Sequence, residues 1–166
     1  MDIYLMTGIA GSGKTTWAKR LVRQTNGLVC MISQDAIREM LMAQYVYSNQ
    51  ATTLMNMVRD NIIDDFVRTR QSFVLDAVQL TVARRKRIVD LIRGRANIWA
   101  LPETDYNITF VWCNESTHNL EYKLKDPRGM PADHWARVVA DMQKNYESPT
   151  DDEMKQLGAN CIRATI

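Results

Sequence analysis

The chain has 166 residues, 46% hydrophobic and 24% charged, with a formal net charge of +2. That length is enough to bury a core and predicts one domain over 1–166. No apolar run approaches the ~20 residues of a membrane span. The chain opens directly on a strand pattern without a signal-peptide profile, and the small net charge leaves only a local basic groove as a nucleic-acid footprint. These readings predict a cytoplasmic protein with no membrane partner.

Ile3 to Thr7 predicts the first strand. It runs into Gly8-Ile9-Ala10-Gly11-Ser12-Gly13-Lys14-Thr15, which fits G-x-x-x-x-G-K-[ST], the phosphate-binding loop. Glycines let the backbone turn tightly and aim its N–H groups at an anion. Gly8, Gly11, Ser12, Gly13, Lys14, Thr15 and Thr16 are therefore the expected nucleotide-binding residues. Lys14 supplies a charge for the β- and γ-phosphates, and the Thr15 hydroxyl is the expected Mg²⁺ ligand. The helix pattern that begins at Thr15 adds free N–H groups and a dipole at its start.

Leu28 to Ile32 reads as a second strand and 34–44 as a helix. At their junction stands Asp35, a carboxylate suited to accept or orient the proton of an acceptor hydroxyl; the same residue type also caps helices. Arg38 falls on the same helix face and can grip an acceptor phosphate or form a surface salt bridge. Leu54, Met57, Val58, Ile62, Ile63, Phe66 and Val67 predict an amphipathic helix over 49–70. Phe73 to Leu75 is a short strand ending in Asp76, which can reach a metal through water, hold Arg38, or serve as a turn residue. Thr81 is the expected cap of a helix that ends at Arg93 and is closed by Gly94. Arg84-Arg85-Lys86-Arg87 sits where the helix dipole disfavours cations; it lines a nucleic-acid groove or is a solvated face.

Asn107 to Cys113 is a strand rich in β-branched and aromatic residues, and helices follow over 116–125 and 133–147. Between them the Pro- and Gly-containing loop makes a lid near 123–133. Arg128 in this loop can cover a transferring phosphoryl group, with Lys123 and Lys125 as weaker candidates. Residues 161–166 give a fifth strand. Strands alternating with helices predict an α/β fold with a parallel five-stranded sheet covered on both faces. Chemistry in such sheets gathers at the carboxyl ends of the strands. Cys30, Cys113 and Cys161 lie in predicted strands without C-x-x-C spacing, as reduced core thiols. His118 and His134 are isolated non-ligands, and the ten methionines read as core filler.

G-x-x-G-S-G-K-T-T-W-A, then S-Q-D-x-x-R, a strand-end L-D and K-x-x-R-G-M-P follow one another over about the first 145 residues. In that order they resemble the kinase domain of phage-type polynucleotide kinase, a P-loop kinase with a helical lid. The resemblance implies transfer of the γ-phosphate of ATP, or another nucleoside triphosphate, to a polynucleotide hydroxyl with Mg²⁺, most naturally the 5′-hydroxyl of DNA or RNA. Residue by residue it makes Lys14 and Thr15 the P-loop pair, Asp35 the general base, Arg38 the acceptor-phosphate arginine, Asp76 the strand-end aspartate and Arg128 the lid arginine. The family usually places Thr and Asn after the strand-end aspartate; here Ala77 and Val78 follow, with Gln79 as the available polar contact. No D-x-D-G-T phosphatase motif is present, so no 3′-phosphatase activity is expected. Segment 95–106 has no counterpart in the pattern; its Trp99 stacks on a base or packs. A nucleotide, a small metabolite or a modified-base hydroxyl remains an alternative acceptor, and a nucleotide-gated binding module is a reading from another class.

Overall fold

The computed structural model describes residues 1–44, 47–113, 119–125 and 128–164. Its elements run β1 (Asp2–Thr7), α1 (Lys14–Gln24), β2 (Val29–Ser33), α2 (Gln34–Met42), α3 (Asn49–Arg68), β3 (Ser72–Asp76) and α4 (Val82–Ile98). A 3₁₀ turn (Glu103–Asp105), β4 (Asn107–Trp112), α5 (Asn119–Leu124), α6 (Ala132–Lys144), α7 (Asp151–Gln156) and β5 (Asn160–Arg163) complete the chain. The strands form a parallel five-stranded sheet in the order β2-β3-β1-β4-β5.

Alternation along β1 explains the layering. Ile3 and Leu5 face one side, where Phe73, Leu75, Ile108 and Phe110 meet Met55, Ile63 and Val67 of α3 and Ile88, Val89 and Ile92 of α4. Met6 faces the other side, where Val74 and Val111 meet Ala18 of α1, with Trp17, Leu21 and Val22 packed around them. Burial on both faces is what a parallel sheet requires. It leaves the strand ends as the open edge, and β1 is central, so its carboxyl end sits amid those of β3 and β4.

Several expectations are corrected. The fourth helix does not stop at Gly94 but continues to Ile98, because the apolar stripe Ile88, Val89, Ile92 and Ala96 carries on past it. Gly94 is on the exposed face, where only the ~1 kcal/mol glycine penalty opposes the helix. β4 ends at Trp112, leaving Cys113 just beyond it, and β5 is the short Asn160–Arg163. Helix α7 was not anticipated. Met6, Met55 and Met154 are core residues as expected, but Met40 and Met57 are 68% and 58% exposed. Trp99 lies after α4, at the sheet end remote from the phosphate loop. There its Nε1 donates to Asp64 Oδ1 at 3.0 Å and the Arg68 guanidinium lies over its ring, which is 44% exposed and away from the site. His118, Asp126 and Pro127, and the expectations attached to them, lie outside the described residues.

Candidate active site

The loop from Gly8 to Gly13 follows the central strand. Gly8 has φ +139°, and a Cβ there would stand 2.5 Å from the Cys113 carbonyl and 2.7 Å from Ser12 Oγ. Only glycine fits this approach. Gly11 (φ 77°) and Gly13 (φ 85°) are also left-handed, and Gly13 is the N-cap of α1 without a side-chain cap. The first N–H groups of α1 are therefore left open to an anion. Met142 Sδ of α6 accepts from the Ala10 N–H at 3.3 Å, and Ile9 packs with Leu80 and Val139, so the loop is braced from behind.

Lys14 is only 7% exposed. Its Nζ donates to the Ile9 carbonyl at 2.5 Å and to Ser12 Oγ at 3.4 Å. Burial pulls its pKa below the usual 10.5, against the pull of Asp76, Cys113 and Asp35. Thr15 Oγ1 donates to Asp76 Oδ2 at 2.8 Å. Burial raises the Asp76 pKa above 3.8, opposed by the Thr15 hydrogen bond and Lys14. The buried Lys14 ammonium and the buried Asp76 carboxyl thus influence each other electrostatically at the phosphate loop. Burial also pushes the Cys113 thiol up to about 11, and all three cysteines are free, in keeping with inert reduced thiols. Thr16, expected beside the nucleotide, is an exposed residue in the first turn of α1.

The donor set fits Mg²⁺. A hydroxyl and a carboxylate are hard oxygen ligands, and Mg²⁺ takes few protein ligands, keeping waters and substrate phosphates for the rest. Among the described residues there is no cluster of three or more His, Cys, Asp or Glu that could hold a metal ion.

β2 and β3 end in register, Ser33 beside Asp76. Ser33, not Asp35, caps α2: its Oγ accepts from the Ala36 N–H at 3.4 Å. Asp35 is thereby released from the capping role and sits half-buried in the first turn. Its Oδ1 accepts from Arg38 Nη1 at 2.9 Å and its Oδ2 lies 2.6 Å from Arg128 Nη1. Arg128 also reaches Glu39 at 3.8 Å, a residue the sequence reading did not single out. Arg38 is 4% exposed, with its guanidinium 4.7 Å from the Tyr47 ring centroid. Arg128 (φ 51°) and Gly129 (φ 74°) are consecutive left-handed residues, which bends the lid loop sharply at the arginine. Lys123 lies over the Trp135 ring at 4.0 Å and weighs on Lys14 electrostatically, whereas Lys125 is exposed.

Gln79 is 5% exposed, and its main-chain carbonyl accepts from Thr7 Oγ1 at 2.7 Å and Arg85 Nη1 at 3.2 Å. The basic run is divided. Arg84, Lys86 and Arg87 are exposed, but Arg85 has no exposed surface and cannot line a groove, which corrects the expectation for that residue. Sequence periodicity could not show this, since its partner Glu153 is 68 positions away.

A parallel sheet in this strand order, with a phosphate loop after its central strand and acidic and basic side chains at neighbouring strand ends, is the P-loop kinase-like α/β fold. Residues 3–149 match a family model described as an AAA domain, and the chain belongs to that family. A Chloroflexus aurantiacus protein named as a kinase is similar in structure, with 16% identity, 98% of this chain and 84% of the other covered, and a TM-score of 0.68. Shikimate kinase from Acinetobacter baumannii gives 14% identity, 99% and 84% coverage and a TM-score of 0.55. A chain of the Pnkp1/Rnl/Hen1 RNA repair complex gives 16% identity and a TM-score of 0.59, over 87% of this chain and 44% of the other. At these identities the likeness is one of fold. No curated protein sequence matches the chain.

Proposed function

We propose that the protein is an ATP- and Mg²⁺-dependent kinase that transfers a γ-phosphate to a polynucleotide hydroxyl, with the 5′-hydroxyl of DNA or RNA as first choice. The observation that carries this reading is Asp35, held between Arg38 at 2.9 Å and Arg128 at 2.6 Å beside the phosphate loop. A nucleotide-gated binding module has no use for a carboxylate flanked in this way. A kinase has a use for each of the three. Asp35 accepts the proton of the acceptor hydroxyl as its oxygen attacks the γ-phosphorus in line. Arg38, bound to Asp35, would grip a phosphate next to that hydroxyl. Arg128 releases Asp35 and turns to the transferring phosphoryl group, where a lid arginine contributes up to ~10³–10⁵ in rate.

Lys14 neutralises the β- and γ-phosphates, and the loop N–H groups hold them. Thr15 and Asp76 would hold Mg²⁺, directly or through water, and the ion would supply positive charge against the phosphates. Asp76 keeps Thr15 oriented through the 2.8 Å hydrogen bond. Gln79 is the remaining polar residue on the acceptor side. A small-molecule acceptor is the second reading. It is favoured by Ala77 and Val78, which follow Asp76 directly and carry no polar side chain for a polynucleotide.

The test is transfer of labelled γ-phosphate to a panel of 5′-hydroxyl DNA, 5′-hydroxyl RNA, modified-base DNA, free nucleotides and small polyols. Transfer to the 5′-hydroxyl oligonucleotides, abolished by prior 5′-phosphorylation, is the expected result. Transfer to mononucleotides or polyols alone would replace this reading with the second one.

A further inference from the structure

Arg85 is the fourth residue of α4 and is wholly buried. Its Nε and Nη2 donate to the two carboxylate oxygens of Glu153 at 2.7 and 2.8 Å. Its Nη1 donates to the Glu147 carbonyl at 2.8 Å and the Gln79 carbonyl at 3.2 Å. Glu153, on α7, is 6% exposed. Such a pair is weak evidence for stability, because an apolar pair of similar volume often serves equally well. What an apolar pair cannot supply is the third arm of the fork, which holds two main-chain carbonyls.

Those carbonyls matter because of what they adjoin. Gln79 lies three residues after Asp76, in the connection from β3 to α4. The same Gln79 carbonyl accepts from Thr7 Oγ1 at 2.7 Å, and Thr7 leads directly into Gly8. Glu147 closes the connection from its other end: its N–H donates to the Leu80 carbonyl at 2.9 Å, and its Oε2 accepts from the Val82 N–H at 2.6 Å. One buried guanidinium therefore joins the loop carrying Asp76, the entrance to the phosphate loop and the strap that precedes α7.

We infer that Arg85, held by Glu153, is a positioning residue: through the Gln79 carbonyl it sets Asp76 and the Thr7–Gly8 entrance in the arrangement that Mg²⁺ and the β,γ-phosphates require. The inference rests on the kinase reading above. Neither residue touches nucleotide, so their loss acts on metal-dependent binding before it acts on nucleotide binding as such.

The experiment compares the full chain with its Arg85→Met/Glu153→Met double variant. It measures ATP affinity in Mg²⁺ and in EDTA, together with ligand-free melting. The double variant is expected to melt within a few degrees of the parent and to lose less ATP affinity in EDTA than in Mg²⁺. It should lose most of the Mg²⁺-dependent gain, in line with the ~10–100-fold cost of removing groups that orient metal ligands. Amide exchange over 76–81 should quicken in the same variant. Should the apolar pair not fold, Arg85→Lys keeps the charge opposite Glu153 without the fork, and the same loss is expected. A purely structural pair predicts the parent's Mg²⁺ gain in any variant that folds, and that result overturns the inference alone. A parent that binds no ATP overturns the kinase reading and this inference with it.

Discussion

Lys14 and Asp76 are the two side chains whose burial is hardest to explain without a ligand. An Asp76 carboxyl with a raised pKa binds its proton more tightly in the native state than in the unfolded chain. The stability this gives is fully present below 3.8 and is lost as pH rises through the folded-state pKa. Lys14, with a lowered pKa, gives stability that is present above 10.5 and lost as pH falls through its folded-state value. At neutral pH both charges therefore cost the ligand-free protein stability. Asp76→Asn, which can still accept from Thr15, should melt higher than the parent at pH 7, each kcal/mol relieved appearing as about 2–4 °C. That advantage should vanish as pH falls toward 3.8, a course that melting curves without nucleotide or Mg²⁺ will follow. Lys14→Ala should fold yet lose ~10²–10³ in turnover, the usual effect of deleting a preorganised charge-stabilising group. Asp35→Asn separates chemistry from binding. Steady-state kinetics should show kcat reduced with ATP affinity kept; parental turnover would return Asp35 to a purely electrostatic role beside Arg38 and Arg128.

Among the elements, glycines mark the sharpest contrast. Gly8→Ala places a methyl against the Cys113 carbonyl, a backbone atom that cannot step aside, at a φ of +139°. It should abolish nucleotide binding and lower the melting temperature. Gly94→Ala meets nothing within 4 Å and sits in a helix with ordinary φ. It should stabilise by about 0.4–1 kcal/mol with turnover unchanged, as denaturant unfolding will measure. The same contrast explains what was legible in the sequence. The phosphate loop was readable because its chemistry demands fixed residues at fixed spacing. Gly94 misled because a glycine that closes a helix and one that rides its exposed face look alike until the buried stripe is followed past them. Helix α7 was missed because six residues with one apolar member, Met154, carry no apolar period. Thr150-Asp151-Asp152-Glu153 nonetheless has the S/T-x-x-E spacing of a helix start, and Thr150 Oγ1 accepts from the Glu153 N–H at 3.2 Å.

Across the whole molecule, convergence was legible but pairing was not. The strand-end rule brought the phosphate loop, Asp35 and Asp76 to one edge, because a parallel sheet leaves no other place for them. It could not show that Arg85 leaves the basic run for the interior, or that Arg128 rests on Asp35, since such pairs depend on three-dimensional neighbours far apart in sequence. The surviving exposed cations Arg84, Lys86 and Arg87 stand in the first turns of α4, just after the loop that carries Asp76. Lys86 is already paired with Asp90 at 2.6 Å, an exposed i,i+4 contact of little consequence. If a polynucleotide crosses this end of the sheet, its phosphates displace counterions there, and acceptor KM should rise steeply with salt while ATP KM responds less. Arg84→Gln/Arg87→Gln should flatten that slope without altering kcat on a saturating short acceptor. The measurement is acceptor KM against salt for a 5′-hydroxyl oligonucleotide and for the matching nucleoside 3′-phosphate. Each phosphate contact removed should reduce the log–log slope by about 0.7 for a single strand. Equal efficiency on both acceptors at every salt concentration would place the substrate among small molecules, and the cationic turn of α4 would then be a solvated face.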